Sequence, residues 1–146
     1  PELRARFTRR IPLAVLGNLA LPAIDAGIVA WTSADAWFDR VMAVLSANRA
    51  TVAAALAGGR LAPLTGHAPE GTYLAWLDGG GLDPGRAPGA PLADLLREGA
   101  GVALSDGAAF SPRTADHVRL NFATSPEILD RILDRVASGL GRLGLS

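Results

Sequence analysis

The sequence predicts an α+β domain: a small, mainly antiparallel sheet packed with helices. Three observations carry this. Val118, Leu120 and Phe122 alternate with His117, Arg119 and Asn121, the two-residue period of a half-buried strand. Long stretches around 34–57 and 128–143 repeat apolar residues at helical spacing instead. The strand-like runs are short and separated by helical ones, with no internal repeat.

The bulk properties narrow the class. The chain has 146 residues, 49% of them hydrophobic, no cysteine and a formal charge of zero. That suits one compact domain with a real core. Neutral balance gives no argument for nucleic acid or an anionic membrane as a partner. Without cysteine there is no disulfide and no cysteine-ligated metal, a pattern compatible with the expected cytoplasmic location. All 14 basic residues are arginine. Chemistry that needs a lysine amine, such as a Schiff base, is therefore closed to this chain alone. Pro1 rather than methionine opens the sequence, as expected for a processed start or a piece of something longer.

In order, Arg4, Arg6, Arg9 and Arg10 precede an apolar run from Ile11 to Trp31. Arginines before an apolar run resemble a leader or a membrane span. Asp25 within the run argues against this, since a charge at mid-bilayer costs about 2.5–3.5 kcal/mol, and Pro12 and Pro22 interrupt it. A broken apolar helix, mainly Leu19 to Trp31, is expected. It lacks a polar stripe, so it is read as an interface segment that packs on protein. Thr32-Ser33-Ala34-Asp35 reads as a cap with an acid in the next turn. The helix that follows, about Ala34 to Ala57, ends at Gly58-Gly59 and is about 36 Å long at 1.5 Å per residue. Asn48 and Arg49 are expected on its solvated or interface face.

Leu61 to Thr65 is expected as a short strand, 66–71 as a loop and Thr72 to Leu77 as an aromatic-rich strand. Residues 79–91 are a glycine- and proline-rich loop. Their GGGLDPG stretch lacks the lysine and the helix of a phosphate loop. Pro91 to Glu98 is a short helix and Gly101 to Ser105 a short strand, followed by a loop holding Phe110, Pro112 and Arg113. The strand at 118–122 runs into the last helix. Either Ser125 caps it with Pro126 first in the turn, or Thr124 and Glu127 make a capping box. Ile128, Leu129, Ile132, Leu133, Val136, Leu140 and Leu143 form its apolar face. Asp130 and Asp134 face away, their repulsion expected to be offset by neighbouring arginines.

Chemistry-bearing residues are few. His67 and His117 are the only histidines and have no metal-ligand spacing. Ser105-Asp106 makes no nucleophile elbow. No catalytic, cofactor-binding or metal residue is assigned. Arg119 stands out, because it lies on the strand face opposite Val118, Leu120 and Phe122. A guanidinium so placed suits a planar carboxylate held by two parallel hydrogen bonds, although a surface ion pair is the plainer reading of spacing alone.

Five stretches in this order resemble the C-terminal part of the fold-type I, pyridoxal-phosphate-dependent class I/II aminotransferase family, on its cystathionine β-lyase-like C–S lyase branch. They are PELRARF (1–7), AWTSADAWFDRVMAVLSANR (30–49), PEGTYLAWLD (69–78), GVALSDGAAF (101–110) and VRLNFATSPEILDRILDRV (118–136). The third and fifth are the specific ones. The resemblance implies a small domain, residues 32–146, preceded by an interdomain helical segment, 1–31. It implies a large domain, absent from this sequence, that holds pyridoxal phosphate through a Schiff-base lysine. It implies a homodimer acting on an amino-acid substrate whose α-carboxylate is gripped by Arg119. Tyr73 matches a position near the domain interface and receives no catalytic role. Ala34 stands where the family usually has glycine. The loop at 107–113 reads Gly-Ala-Ala-Phe-Ser-Pro-Arg where a glycine-flanked Phe-Gly is common. The chain alone is expected to be inactive and its parent to be a lyase or aminotransferase. The second reading is a non-catalytic, stand-alone interaction domain that dimerises through the apolar segment.

Overall fold

A computed structural model describes residues 2–11, 17, 20–67, 69–82 and 91–144. The chain divides into two compact units, Pro1–Arg40 and Val41–Ser146. In the first, helix α1 (Glu2–Arg10) opens with an acid and closes on Arg9 and Arg10, complementing the helix dipole at both ends. Helix α2 (Leu21–Ser33) starts with Pro22 in its first turn and buries none of its residues. The helix expected from Leu19 thus begins at Leu21, and Leu19 and Pro12 lie outside the described residues.

Thr32 and Ser33 are not a cap. They complete α2, and the Thr32 hydroxyl donates to the Ile28 carbonyl at 2.8 Å. Ala34 alone separates α2 from α3 (Asp35–Ala57), its carbonyl accepting from the Trp37 and Phe38 amides. The buried residues of α3 are Asn48, Val52 and Ala55, all in its C-terminal half.

The second unit is built on a four-stranded antiparallel sheet in the order β1-β2-β4-β3. These are β1 (Thr65–Gly66), β2 (Leu74–Asp78), β3 (Ser105–Asp106) and β4 (His117–Asn121). β4 is therefore paired on both edges: Arg119 stands opposite Trp76 on one side and Ser105 on the other. Three strands are shorter or shifted relative to the alternation. Leu61 and Leu64 are buried, but the Leu64 amide closes a local turn on the Leu61 carbonyl, leaving only Thr65–Gly66 for the ladder. β2 starts at Leu74 rather than Thr72, and the strand expected over 101–105 pairs only at Ser105–Asp106. The loop expected at 79–91 is described up to residue 82; residues 83–90 lie outside the description.

One face of the sheet carries the core. Ala75, Leu77, Val118, Leu120 and Phe122 are buried there against Leu96 of α4 (Leu92–Ala100) and Leu129 and Leu133 of α5 (Pro126–Leu143). Each of these side chains larger than alanine contributes about 1.5–3 kcal/mol on burial. Helix α4 ends on Gly101, whose left-handed φ of 65° lets its amide reach the Arg97 and Leu96 carbonyls. Helix α5 starts as the first of its two expected forms: the Ser125 hydroxyl accepts from the Ile128 amide at 3.4 Å, with Pro126 in the first turn. The offset to Asp130 and Asp134 comes from outside the helix. Arg60 reaches both at 2.8 and 2.6 Å, and those carboxylates raise its pKa, Asp134 more than Asp130. Among the described residues, no helix is long and apolar enough to cross a membrane.

Candidate functional site

The other face of the sheet is half-exposed and chemically richer. Strand alternation places Trp76 and Asp78 of β2, His117 and Arg119 of β4, and Ser105 of β3 at half-buried positions. Arg119 has the predicted disposition, opposite buried Val118 and Leu120. Its Nη2 donates to the Ser105 hydroxyl at 3.3 Å, and its Cζ lies 4.7 Å from the centroid of the Phe110 ring. Among the described residues it makes no ion pair with a carboxylate. An arginine in a two-sided strand, with an aromatic face beside it and no internal anion, leaves N–H donors available to an external carboxylate.

Phe110 and Trp76 extend the face. Their rings meet edge-on at 5.5 Å and 79°, and Trp76 also lies 5.5 Å from the His117 ring. The loop that presents Phe110 consists of two short 3-10 turns, Gly107–Ala109 and Pro112–Thr114. Asp106 caps the first by accepting from the Ala108 amide at 3.0 Å, and Ser111 caps the second by accepting from the Arg113 amide at 3.2 Å.

At the far end of the face, His117 stands beside two carboxylates, its sequence neighbour Asp116 and the distant Asp78, which the sequence spacing concealed. Nδ1 is 2.6 Å from Asp116 and Nε2 is 3.8 Å from Asp78, which arrives from β2 through the strand register. Asp78 also accepts from the Gly80 amide at 2.7 Å. The ligand atoms of Asp78, Asp116 and His117 all lie within 4.8 Å of one another. His67 stands exposed and belongs to no such cluster among the described residues. A groove of about 380 Å³, lined by residues that include Ile128, Arg131, Ile132 and Arg135, shares no residue with the Arg119 face.

Asn48, expected on a solvated or interface face, is instead buried within its own unit. It is 1% exposed, and its amide nitrogen donates to the Phe122 and Thr124 carbonyls, each at 2.8 Å. It thereby ties α3 to the turn joining β4 to α5. Arg49 does lie outside, its Nε donating to the Pro69 carbonyl at 2.7 Å. Tyr73 is exposed just before β2.

This fold, an α+β domain on a small antiparallel sheet, is that of the C-terminal domain of fold-type I pyridoxal-phosphate-dependent transferases. Among curated proteins the chain is 35% identical over 128 residues to the cystathionine β-lyase of Corynebacterium glutamicum, covering 88% of this chain and 31% of that protein. It superposes on cystalysin from Treponema denticola, which contains pyridoxal 5'-phosphate, with a TM-score of 0.80 and 22% identity, over 98% of this chain and 35% of that one. The corresponding values for the pyridoxal-phosphate-bound C–S lyase of Staphylococcus hominis are 0.77 and 23%, over 85% and 32%. The chain spans about a third of the length of the curated relatives it matches. No protein-family model matches it.

Proposed function

We propose that this chain is the C-terminal domain of a pyridoxal-phosphate-dependent C–S β-lyase acting on an amino acid, and that Arg119 reads the substrate α-carboxylate. The observation that carries the reading is Arg119 itself: central in the sheet, on the open face, without a carboxylate partner among the described residues. The relatives' names support the activity, and their greater length supports a large domain outside this sequence. With no lysine, the chain's residues fit the substrate's carboxylate rather than the cofactor's aldehyde, so none is assigned to hold the cofactor. A cytoplasmic homodimer is part of the same proposal.

When bound in the parent, pyridoxal phosphate supplies the electron sink for carbanion chemistry at Cα. What this chain adds is orientation. A carboxylate held by the planar guanidinium fixes the amino acid's rotation, so that the bond to be broken stands in a defined direction. The strand position matters here, since β4 is hydrogen-bonded on both edges and so fixes where the Arg119 side chain begins.

A charged hydrogen bond is worth about 1.5–3 kcal/mol, so Arg119→Ala in the full-length parent should lower kcat/KM roughly ten- to a hundred-fold or more on a carboxylate substrate. Arg119→Lys keeps charge without the fork and should rescue only partly. The decarboxylated amine should be much less affected. Equal losses on both substrates would show that Arg119 supports the fold instead.

A second reading, a non-catalytic domain that dimerises, draws on the apolar side chains exposed on α2, with Trp31 90% exposed. The upstream reading frame separates the two. Roughly 230 or more preceding residues, the size of a large domain, with a lysine-centred motif favour the enzyme. A start codon adjacent to Pro1 favours the interaction domain.

A further inference from the structure

We propose that Phe110 is a positioning residue for Arg119, holding the guanidinium by its ring face so that every anion-binding donor remains uncommitted to an internal carboxylate. The inference rests on the reading of Arg119 as the carboxylate reader and adds the device that aims it. Arginine has a long, flexible stem, and the backbone alone sets only where that stem begins. The usual restraint is an ion pair, but an internal carboxylate would compete for the same N–H groups that a substrate needs. Among the described residues the restraints are one hydroxyl, Ser105 at 3.3 Å, and the Phe110 ring at 4.7 Å from Cζ. An aromatic face attracts the cation without occupying its in-plane donors and without adding charge. It also takes water from one side of the guanidinium, which strengthens attraction to an anion at the remaining edge.

Phe110 is itself held. Trp76 abuts it edge-on at 5.5 Å, and the Thr114 hydroxyl donates to the Gly107 carbonyl at 2.9 Å and the Ser111 carbonyl at 3.0 Å, closing the loop around it. Gly107 is buried where the Thr114 and His117 carbonyls leave no room for a side chain, so the loop lies tight against the start of β4. Phe110 is nevertheless 53% exposed, so core burial does not account for a phenylalanine at this position.

The test is made in the full-length protein with Phe110→Leu, Phe110→Tyr and, in parallel, Arg119→Ala. Each is assayed on a carboxylate amino acid and on its decarboxylated amine. Phe110→Leu should lower kcat/KM about three- to tenfold on the carboxylate substrate, mostly through KM, the scale of one cation–π contact. On the amine the loss should stay under about twofold, the sign that only carboxylate recognition has been touched. Phe110→Tyr keeps the ring face and should stay within about twofold of wild type on both. If Arg119→Ala discriminates between the substrates while Phe110→Leu does not, the positioning role is wrong and the reading of Arg119 stands. If Arg119→Ala itself fails to discriminate, both fall. If Phe110→Tyr behaves like Phe110→Leu, the ring face is not what holds Arg119, and the inference is overturned.

Discussion

Asn48 donates both of its amide hydrogens to the turn that carries β4 into α5. The Phe122 carbonyl also accepts from the Thr124 amide, whereas the Thr124 carbonyl has Asn48 as its bond partner. Asn48→Ala should therefore strand the part-buried Thr124 carbonyl and take one of two donors from the buried Phe122 carbonyl. A loss of about 1–3 kcal/mol is expected, visible as a lower urea midpoint with an unchanged slope. The position was half legible. Asn48 lies four residues from Val44 and from Val52, on the stripe that enters the core, but its residue type argued for solvent. Its acceptors are more than 70 residues away, beyond the reach of local periodicity. Arg119 was legible because alternation within its own strand sufficed to place it. Phe110, Ser105 and Asp78 were not, since they join the face only through strand register and loop path.

Periodicity marked the elements better than it marked their ends. The start and packed face of helix α5 were readable because its apolar stripe and Ser125-Pro126 start agree; its end on left-handed Gly144 came only with the structure. The α2–α3 junction was misread because two hydroxyl residues at a helix end can bond backward to the preceding turn as readily as forward. Gly139 of α5 gave no sequence signal of its role: a Cβ there would press on Ala100, including its backbone, so this glycine sets how closely α4 and α5 approach. At the start of α5 the Ser125 hydroxyl, followed by Glu127's own backbone amide, holds the Glu127 carboxyl below its ordinary pKa. A depressed carboxyl binds its proton less readily folded than unfolded. Its contribution to stability is thus present above the unfolded pKa and disappears as pH falls through the folded one. Ser125→Ala should move the Glu127 pKa back up toward the usual carboxylate range, measured by NMR titration of its side-chain carbon. An unmoved titration would rule out the hydroxyl as the cause.

For the whole chain, absence of lysine makes a simple expectation. Pyridoxal phosphate and borohydride should leave no stoichiometric side-chain adduct on these 146 residues by mass spectrometry; finding one would overturn the assignment of the cofactor to another domain. The unburied α2 makes another. The isolated chain should self-associate, and Ile28→Asp should weaken that association in light scattering; a strict monomer at high concentration would count against an interface role. The pairing of β4 on both edges has a consequence of its own. A strand with neighbours on each side exchanges its amide protons only when much of the domain opens, whereas loops and outer strands flicker on their own. The arginine that faces outward is thereby mounted on one of the slowest-moving parts of the molecule. Its point of attachment is set before any ligand arrives, and adjustment to ligands of different size falls to the side chain and the loop around it.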